Sequence, residues 1–96
     1  MAILFTKTVT FYSEADEFSF FDFIKHIKGI SKFEGNVKGM FLYVPKPVSD
    51  ANLRNILALF YRYKIDMKQL AQFCNNKNEK WFKNTEKYWF KKIWGN

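Results

Sequence analysis

One cysteine, one histidine, two prolines and four glycines are all that this 96-residue chain holds of the residues that staple, ligate or break a fold. A lone Cys74 excludes an intrachain disulfide, which fits a reducing compartment. With His26 as the only imidazole and no paired carboxylates at ligand spacing, there is no metal-binding pattern. Gly29, Gly35, Gly39 and Gly95 are scattered and form no phosphate-cradling loop. The longest apolar run, ILALFY from Ile56 to Tyr61, is far short of the roughly 20 residues that cross a bilayer. The opening MAILFTK has too short an apolar stretch for a signal peptide and no small-residue cleavage site. The expectation is a soluble, cytoplasmic protein with no membrane partner, no cofactor and no bound metal.

Catalytic groups are equally scarce. Asp22 and His26 stand at i, i+4, a spacing that can orient a general base but is ordinary on a solvated helix face. No nucleophile accompanies them unless folding brings Cys74 beside His26, and Cys74 falls on an inward stripe that favours an inert thiol. Glu14, Asp16 and Glu17 are accounted for by helix capping and the helix dipole. The sequence reads as a protein that is not an enzyme.

What is present is apolar and basic. Hydrophobic residues make up 48% of the chain and aromatic residues 21%, twelve of them Phe, enough to build one core in a single domain spanning 1–96. Sixteen basic residues against nine acidic ones leave a formal charge of +7. The charge is uneven. Glu14, Asp16, Glu17 and Asp22 put four acids in one short stretch, whereas from Lys64 onward eight lysines oppose only Asp66, Glu79 and Glu86. A basic C-terminal half can steer toward phosphates or an acidic protein, or can be a solvated surface.

Periodicity supplies the elements. Ile3–Tyr12 alternates through Phe5, Lys7, Val9 and Phe11, a strand pattern. Ser13 is a candidate N-cap with Asp16 three residues on, opening a helix whose Phe20, Phe21, Phe23, Ile24 and Ile27 share a face opposite Ser19, Asp22 and His26. Two short apolar runs surround Gly35-Asn36, a pair suited to a type II′ hairpin turn. Ser49 or Asp50 caps a second helix reaching about Tyr63, with Leu53, Ile56, Leu57 and Phe60 inward and Leu59 and Tyr61 adding apolar area elsewhere. Asp66 and Gln69 suggest a third start, with Met67, Leu70, Ala71 and Cys74 as its inner stripe and NNKN as its end. The predicted fold is α+β: a small antiparallel sheet of about three strands packed with about four helices, in the order β-α-β-β-α-α-α.

The last segment, NEKWFKNTEKYWFKKIWGN, interleaves six aromatic residues with five lysines. On a helix, Trp81, Phe82, Tyr88, Trp89 and Ile93 fall within an arc of about 140°, and Lys83, Lys87 and Lys91 recur on the other side. Asn84-Thr85 is a candidate break. The aromatic arc is expected to pack on the core, while Phe90 and Trp94 flank it and stand as candidate anchors for a partner.

Two resemblances bear on function. Trp81-Phe82-Lys83-Asn84 with the later KYWFKK is similar to the recognition helix of homeodomains over about Lys80–Lys92, but Thr85 and Glu86 stand where that family carries arginines. Taken together, DEFSFFDFI, YRYKIDMKQLAQF and KWFKN…YWFKKIWG resemble small uncharacterised bacterial proteins of mobile or toxin-associated loci, some of which are immunity proteins. That resemblance implies a non-catalytic inhibitor acting by direct protein–protein contact, with a toxin as its partner. Candidate contacts are Glu17 and Asp22 on the first helix and Phe90 and Trp94 in the tail. The alternative is a small nucleic-acid-binding protein, with Lys83, Lys87 and Lys91 on phosphates and Trp94 stacking on a base.

Overall fold

Along strand β1 (Ala2–Lys7), Ala2, Leu4 and Thr6 are buried while Ile3, Phe5 and Lys7 turn away from the core, as period-2 alternation requires. A computed structural model describes every residue except Thr8, Val37, Lys38 and Asn96, together with the side chain of Asn36. After β1 come α1 (Glu14–His26), β2 (Lys32–Asn36), β3 (Gly39–Val44), α2 (Asp50–Arg62), a 3-10 helix (Lys68–Phe73), α3 (Glu79–Phe82) and α4 (Phe90–Trp94). The fold is α+β with an antiparallel three-stranded sheet in the order β1-β3-β2. It departs from the predicted order only in the last third, where the third helix is 3-10 and the tail divides into two.

The predicted first strand runs five residues too far. β1 ends at Lys7 because its partner ends there: Lys7 pairs with Gly39, the first residue of β3. Val9 and Phe11 then turn onto the core instead of continuing the row, and Phe11 meets Phe20 with ring centroids 5.4 Å apart. The hairpin turn also moves. Gly35 and Asn36 belong to β2, opposite Met40 and Gly39, and the link between the strands is Val37-Lys38, outside the described residues. Register decides this. The observed pairing sets Phe33 opposite Leu42 on the core face, whereas a turn at Gly35-Asn36 would set Phe33 opposite Lys38.

Both long helices are capped as their sequences suggest. Ser13 Oγ accepts from Asp16 N (3.1 Å), and the Asp16 carboxylate accepts from Tyr12 N (3.2 Å). Ser49 Oγ accepts from Asn52 N at 3.1 Å. Phe20, Ile24 and Ile27 put one side of the α1 segment into the core. The α2 helix buries Leu53, Ile56, Leu57, Leu59 and Phe60 over an arc of about 160°, which marks it as the central helix. Leu59 is inside, whereas Tyr61 is exposed and stacks edge-on with Tyr88 of the tail at 4.6 Å.

The end of α2 carries a local strain. Ile65 N–H returns to Phe60 O (2.9 Å) and Lys64 N–H to Tyr61 O (3.4 Å), the paired bonds of a Schellman cap. Such a cap needs a left-handed residue, and here it is Lys64 at φ 57° rather than glycine. A side chain in that region costs about 1 kcal/mol or more. Ile65 is buried and supplies the apolar contact that usually accompanies the cap.

Side-chain hydrogen bonds join the backbone ones in holding the tail. Asn84 Oδ1 accepts from Glu86 N at 2.9 Å, a local turn that competes with helix and parts α3 from α4. Phe82, Trp89 and Ile93 are buried, and Trp89 Nε1–H donates to Phe82 O at 2.6 Å. Asn78, also buried, accepts from Asn75 N (2.8 Å) and donates to Phe73 O (2.8 Å), so the NNKN stretch closes the 3-10 helix as a hydrogen-bonded turn.

Three glycine-related substitutions check these features. At Gly39, φ is 151° and a Cβ would strike the Thr6 carbonyl oxygen, whereas at Gly35 it would meet nothing closer than 3.9 Å. In urea unfolding, Gly39→Ala is expected to cost about 3 kcal/mol or more and Gly35→Ala about 1 kcal/mol or less; the reverse ranking would restore the turn to Gly35-Asn36. Lys64→Gly is expected to stabilise the fold by roughly 0.5–1 kcal/mol by relieving the cap, read as a higher denaturation midpoint with an unchanged slope.

Candidate binding surfaces

Capping and the dipole gather acids at the start of α1, and the helix period then distributes them. Glu17 and Asp22 are both exposed but, five residues apart, lie about 140° from one another around the axis. The row that faces away from the core is Glu14, Phe18 and Asp22, at successive i+4 steps. Phe18 is 72% exposed, and Tyr12, just before the helix, is 87% exposed. Among the described residues neither Glu14 nor Glu17 is ion-paired, while Asp22 meets His26 Nδ1 at 3.6 Å. Sequence reasoning passed over Phe18 because five neighbouring phenylalanines and isoleucines do face inward. The signal was there: Phe18 sits midway between two carboxylates on the polar side of the wheel.

The tail residues chosen from the sequence come together differently. Phe90 and Trp94 are half-buried and stack on each other at 5.5 Å, and Trp94 also meets the buried Phe82 ring at 5.0 Å. Lys83 Nζ lies over the Trp94 ring at 5.6 Å, so a proposed phosphate ligand covers the proposed stacking surface. Lys87 Nζ stands over Trp89 at 6.0 Å. Because the backbone leaves the helix between Phe82 and Phe90, Lys83, Lys87 and Lys91 are exposed but not on one helical stripe. The same break separates Trp81 and Asn84 from the continuous helix that a homeodomain-like reader requires.

His26 Nδ1–H donates to Asp22 O at 2.8 Å on the solvent side of α1, whereas Cys74 packs at the margin of the core. Among the described residues no three His, Cys, Asp or Glu side chains converge as metal ligands, and no helix is long and apolar enough to cross a membrane.

A second surface emerges on the sheet. The row Ile3, Phe5, Lys7 of β1 lies beside Tyr43, Phe41, Gly39 of β3, and beyond them stand Lys32 and Glu34 of β2. This face looks away from the helices. Phe5 and Phe41 pack on each other at 5.0 Å, and neither they nor Tyr43 join the core cluster or the partly buried residues packed against it. Over the β1 edge the face passes into an open groove of about 920 Å³. Phe5, Lys7, Tyr12, Arg62, Lys64 and Lys68 contribute to its walls, and Asp16 and Asp66 are the only carboxylates among its described wall residues.

At the β2 end of the face, Lys32 Nζ meets Glu34 Oε1 at 2.9 Å and the Tyr43 hydroxyl donates to Glu34 Oε2 at 3.1 Å. The Lys32 hydrogen bond, then that of Tyr43, holds the Glu34 carboxyl below its usual range, and the Glu34 hydrogen bond pushes both Lys32 and Tyr43 up. The signs agree. A lowered carboxyl contributes above its unfolded value and loses that contribution as pH falls through its folded value; the raised lysine and phenol contribute at low pH and lose it as pH rises through theirs. The cluster therefore persists through neutral pH.

No protein-family model, no curated protein and no solved structure matches the chain.

The carboxylate's control of Tyr43 is open to titration. Glu34→Ala is expected to lower the ionisation midpoint of the Tyr43 phenol, followed through its ring carbon resonances by NMR. An unchanged midpoint would mean that Glu34 does not govern it.

Proposed function

We propose that this chain is a non-catalytic binding protein of the inhibitor or immunity type, acting by direct contact with a basic protein partner such as a toxin. One observation carries the reading: Phe18, 72% exposed on a capped helix, with Glu14 and Asp22 one turn to either side and Glu17 adjacent. An aromatic ring held outward by a rigid helix loses little conformational entropy on docking, and rings of this kind dominate interface energetics when a partner's pocket excludes water around them. The carboxylates would steer a basic rim onto the ring and resist acidic competitors. Occlusion, steric at Phe18 and electrostatic around it, is the mechanism. Tyr12 extends the patch, whereas Phe90 and Trp94, engaged with each other and with Phe82, take at most a supporting part.

Differential capture tests this. The tagged protein, Phe18→Ser, the double variant Glu17→Lys/Asp22→Lys and the triple variant Lys83→Glu/Lys87→Glu/Lys91→Glu are compared in extracts of the cells that express it. A true partner is expected to fall about tenfold or more with the first two variants, the size of a hot-spot loss, and to be retained by the third. All four proteins should remain folded, since each altered side chain is exposed. Equal recovery of every captured protein by Phe18→Ser and the parent would remove α1 as the contact.

A further inference from the structure

We propose that the uncovered face of the sheet, continued over β1 into the cation-lined groove, binds single-stranded nucleic acid. This surface borders the α1 patch at Tyr12 but does not depend on the reading given for it. Solvent-facing rows of antiparallel sheets are ordinarily polar. Here the middle strand presents Phe41 and Tyr43 and the edge strand presents Phe5 and Ile3, the last 56% exposed. None of these rings belongs to the core cluster, and Phe5, Phe41 and Tyr43 are half-buried. Lys32 Nζ lies over the Tyr43 ring at 5.0 Å, so a base stacking on Tyr43 must displace that lysine. Aromatic side chains on a sheet offer flat faces on which unpaired bases stack with little regard to sequence, a use for which a duplex, its bases already stacked, is unsuited.

The phosphates of the same strand have a path. Lys7 lies on the sheet face and on the groove wall, and Arg62, Lys64 and Lys68 follow it. Among the described residues none of these four cations is ion-paired. Four cations against the two groove carboxylates, Asp16 and Asp66, leave an excess of two positive charges among the described wall residues. Glu34, at the far end of the face, is matched by Lys32. Lys64 adds an independent indication. It holds a left-handed position where glycine would be more stable, and strain of this kind is tolerated where the side chain has work to do. A second copy of the chain is a poor occupant, because it would set the cationic groove against its like in a protein of charge +7.

The test is fluorescence anisotropy with labelled oligo(dT), oligo(U) and a duplex of the same length across a range of salt, with heparin as competitor. Saturable single-strand binding is expected, tighter than to the duplex, with a log–log salt slope of about −2.8 if each of the four cations neutralises one phosphate. Oligo(dT) against oligo(U) separates DNA from RNA as the source. Phe41→Ala and Tyr43→Ala should each weaken binding roughly 5- to 100-fold, and Phe41→Tyr should retain it. Lys7→Glu with Lys68→Glu should weaken binding and flatten the slope by about half. Lys64→Gly is the decisive variant, because it should lower affinity while raising thermal stability, an outcome that misfolding cannot produce. The proposal fails if nothing binds at low salt, or if Phe41→Ala leaves affinity unchanged while heparin and duplex compete equally. It fails also if the lysine-tail triple variant alone abolishes binding, or if the aromatic substitutions change only the state of association.

Discussion

A single glutamine amide closes the fold. Gln69 Oε1 accepts from Phe5 N at 2.8 Å, and Gln69 Nε2 donates to Phe5 O at 2.7 Å and to Asp66 O at 2.9 Å. The side chain thus stands in for one residue of a missing neighbouring strand on the edge of β1. It ties the first strand to a segment 64 positions away and satisfies two backbone groups whose loss would cost about 1–3 kcal/mol apiece. Its own position is inherited from upstream. The Schellman cap turns the chain at Lys64, the Asp66 carboxylate engages Lys68 N, and the 3-10 helix begins at the spacing that delivers Gln69 to the sheet. The groove wall beside β1 is a by-product of this sequence of constraints.

A chain of charge +7 here shows two electrical characters. Capping draws carboxylates to the start of α1, and the dipole favours them there. The groove on the other side of Tyr12 collects cations from β1, the end of α2 and the 3-10 helix. With screening over about 8 Å at physiological salt, a partner near one surface responds to local charge and hardly to the net value. A net positive charge is therefore no obstacle to an acidic contact.

Much of this was legible in the residues, and the exceptions have physical causes. The caps at Ser13 and Ser49 and the inward faces of α1 and α2 follow from local periodicity, which needs no knowledge of neighbours. The hairpin did not, since a Gly-Asn pair is a sound turn until Phe33 must find Leu42. β1 looked longer than it is because alternation continues into Val9 and Phe11 after the partner strand has run out. In the tail, the helical wheel sorted Phe82, Trp89 and Ile93 inward correctly although no continuous helix exists there. The Asn84 turn preserves their inward direction by other means. The wheel also placed Tyr88 with them, and Tyr88 is 48% exposed. As for the surfaces, Glu17 and Asp22 were visible as charges, but the outward Phe18 was masked by its inward neighbours. The sheet face and the groove arise from strand pairing and from contacts 64 residues apart, which no local pattern carries.

The composition of the tail has a spectroscopic consequence. Trp81, Trp89 and Trp94 are the chain's three indoles, and all of them belong to one cluster around Phe82. Trp81 and Trp89 meet edge to face at 6.0 Å, and Arg54 of α2 lies over the Trp81 ring at 4.3 Å. Intrinsic fluorescence therefore reports whether the last segment is seated on α2, and is nearly blind to the sheet and α1. Far-UV dichroism sees the opposite part, because α3 and α4 are too short to weigh in it. If the two signals melt together, the tail and the body form one cooperative unit; if fluorescence moves first, the indole cluster is a separately released flap over α2.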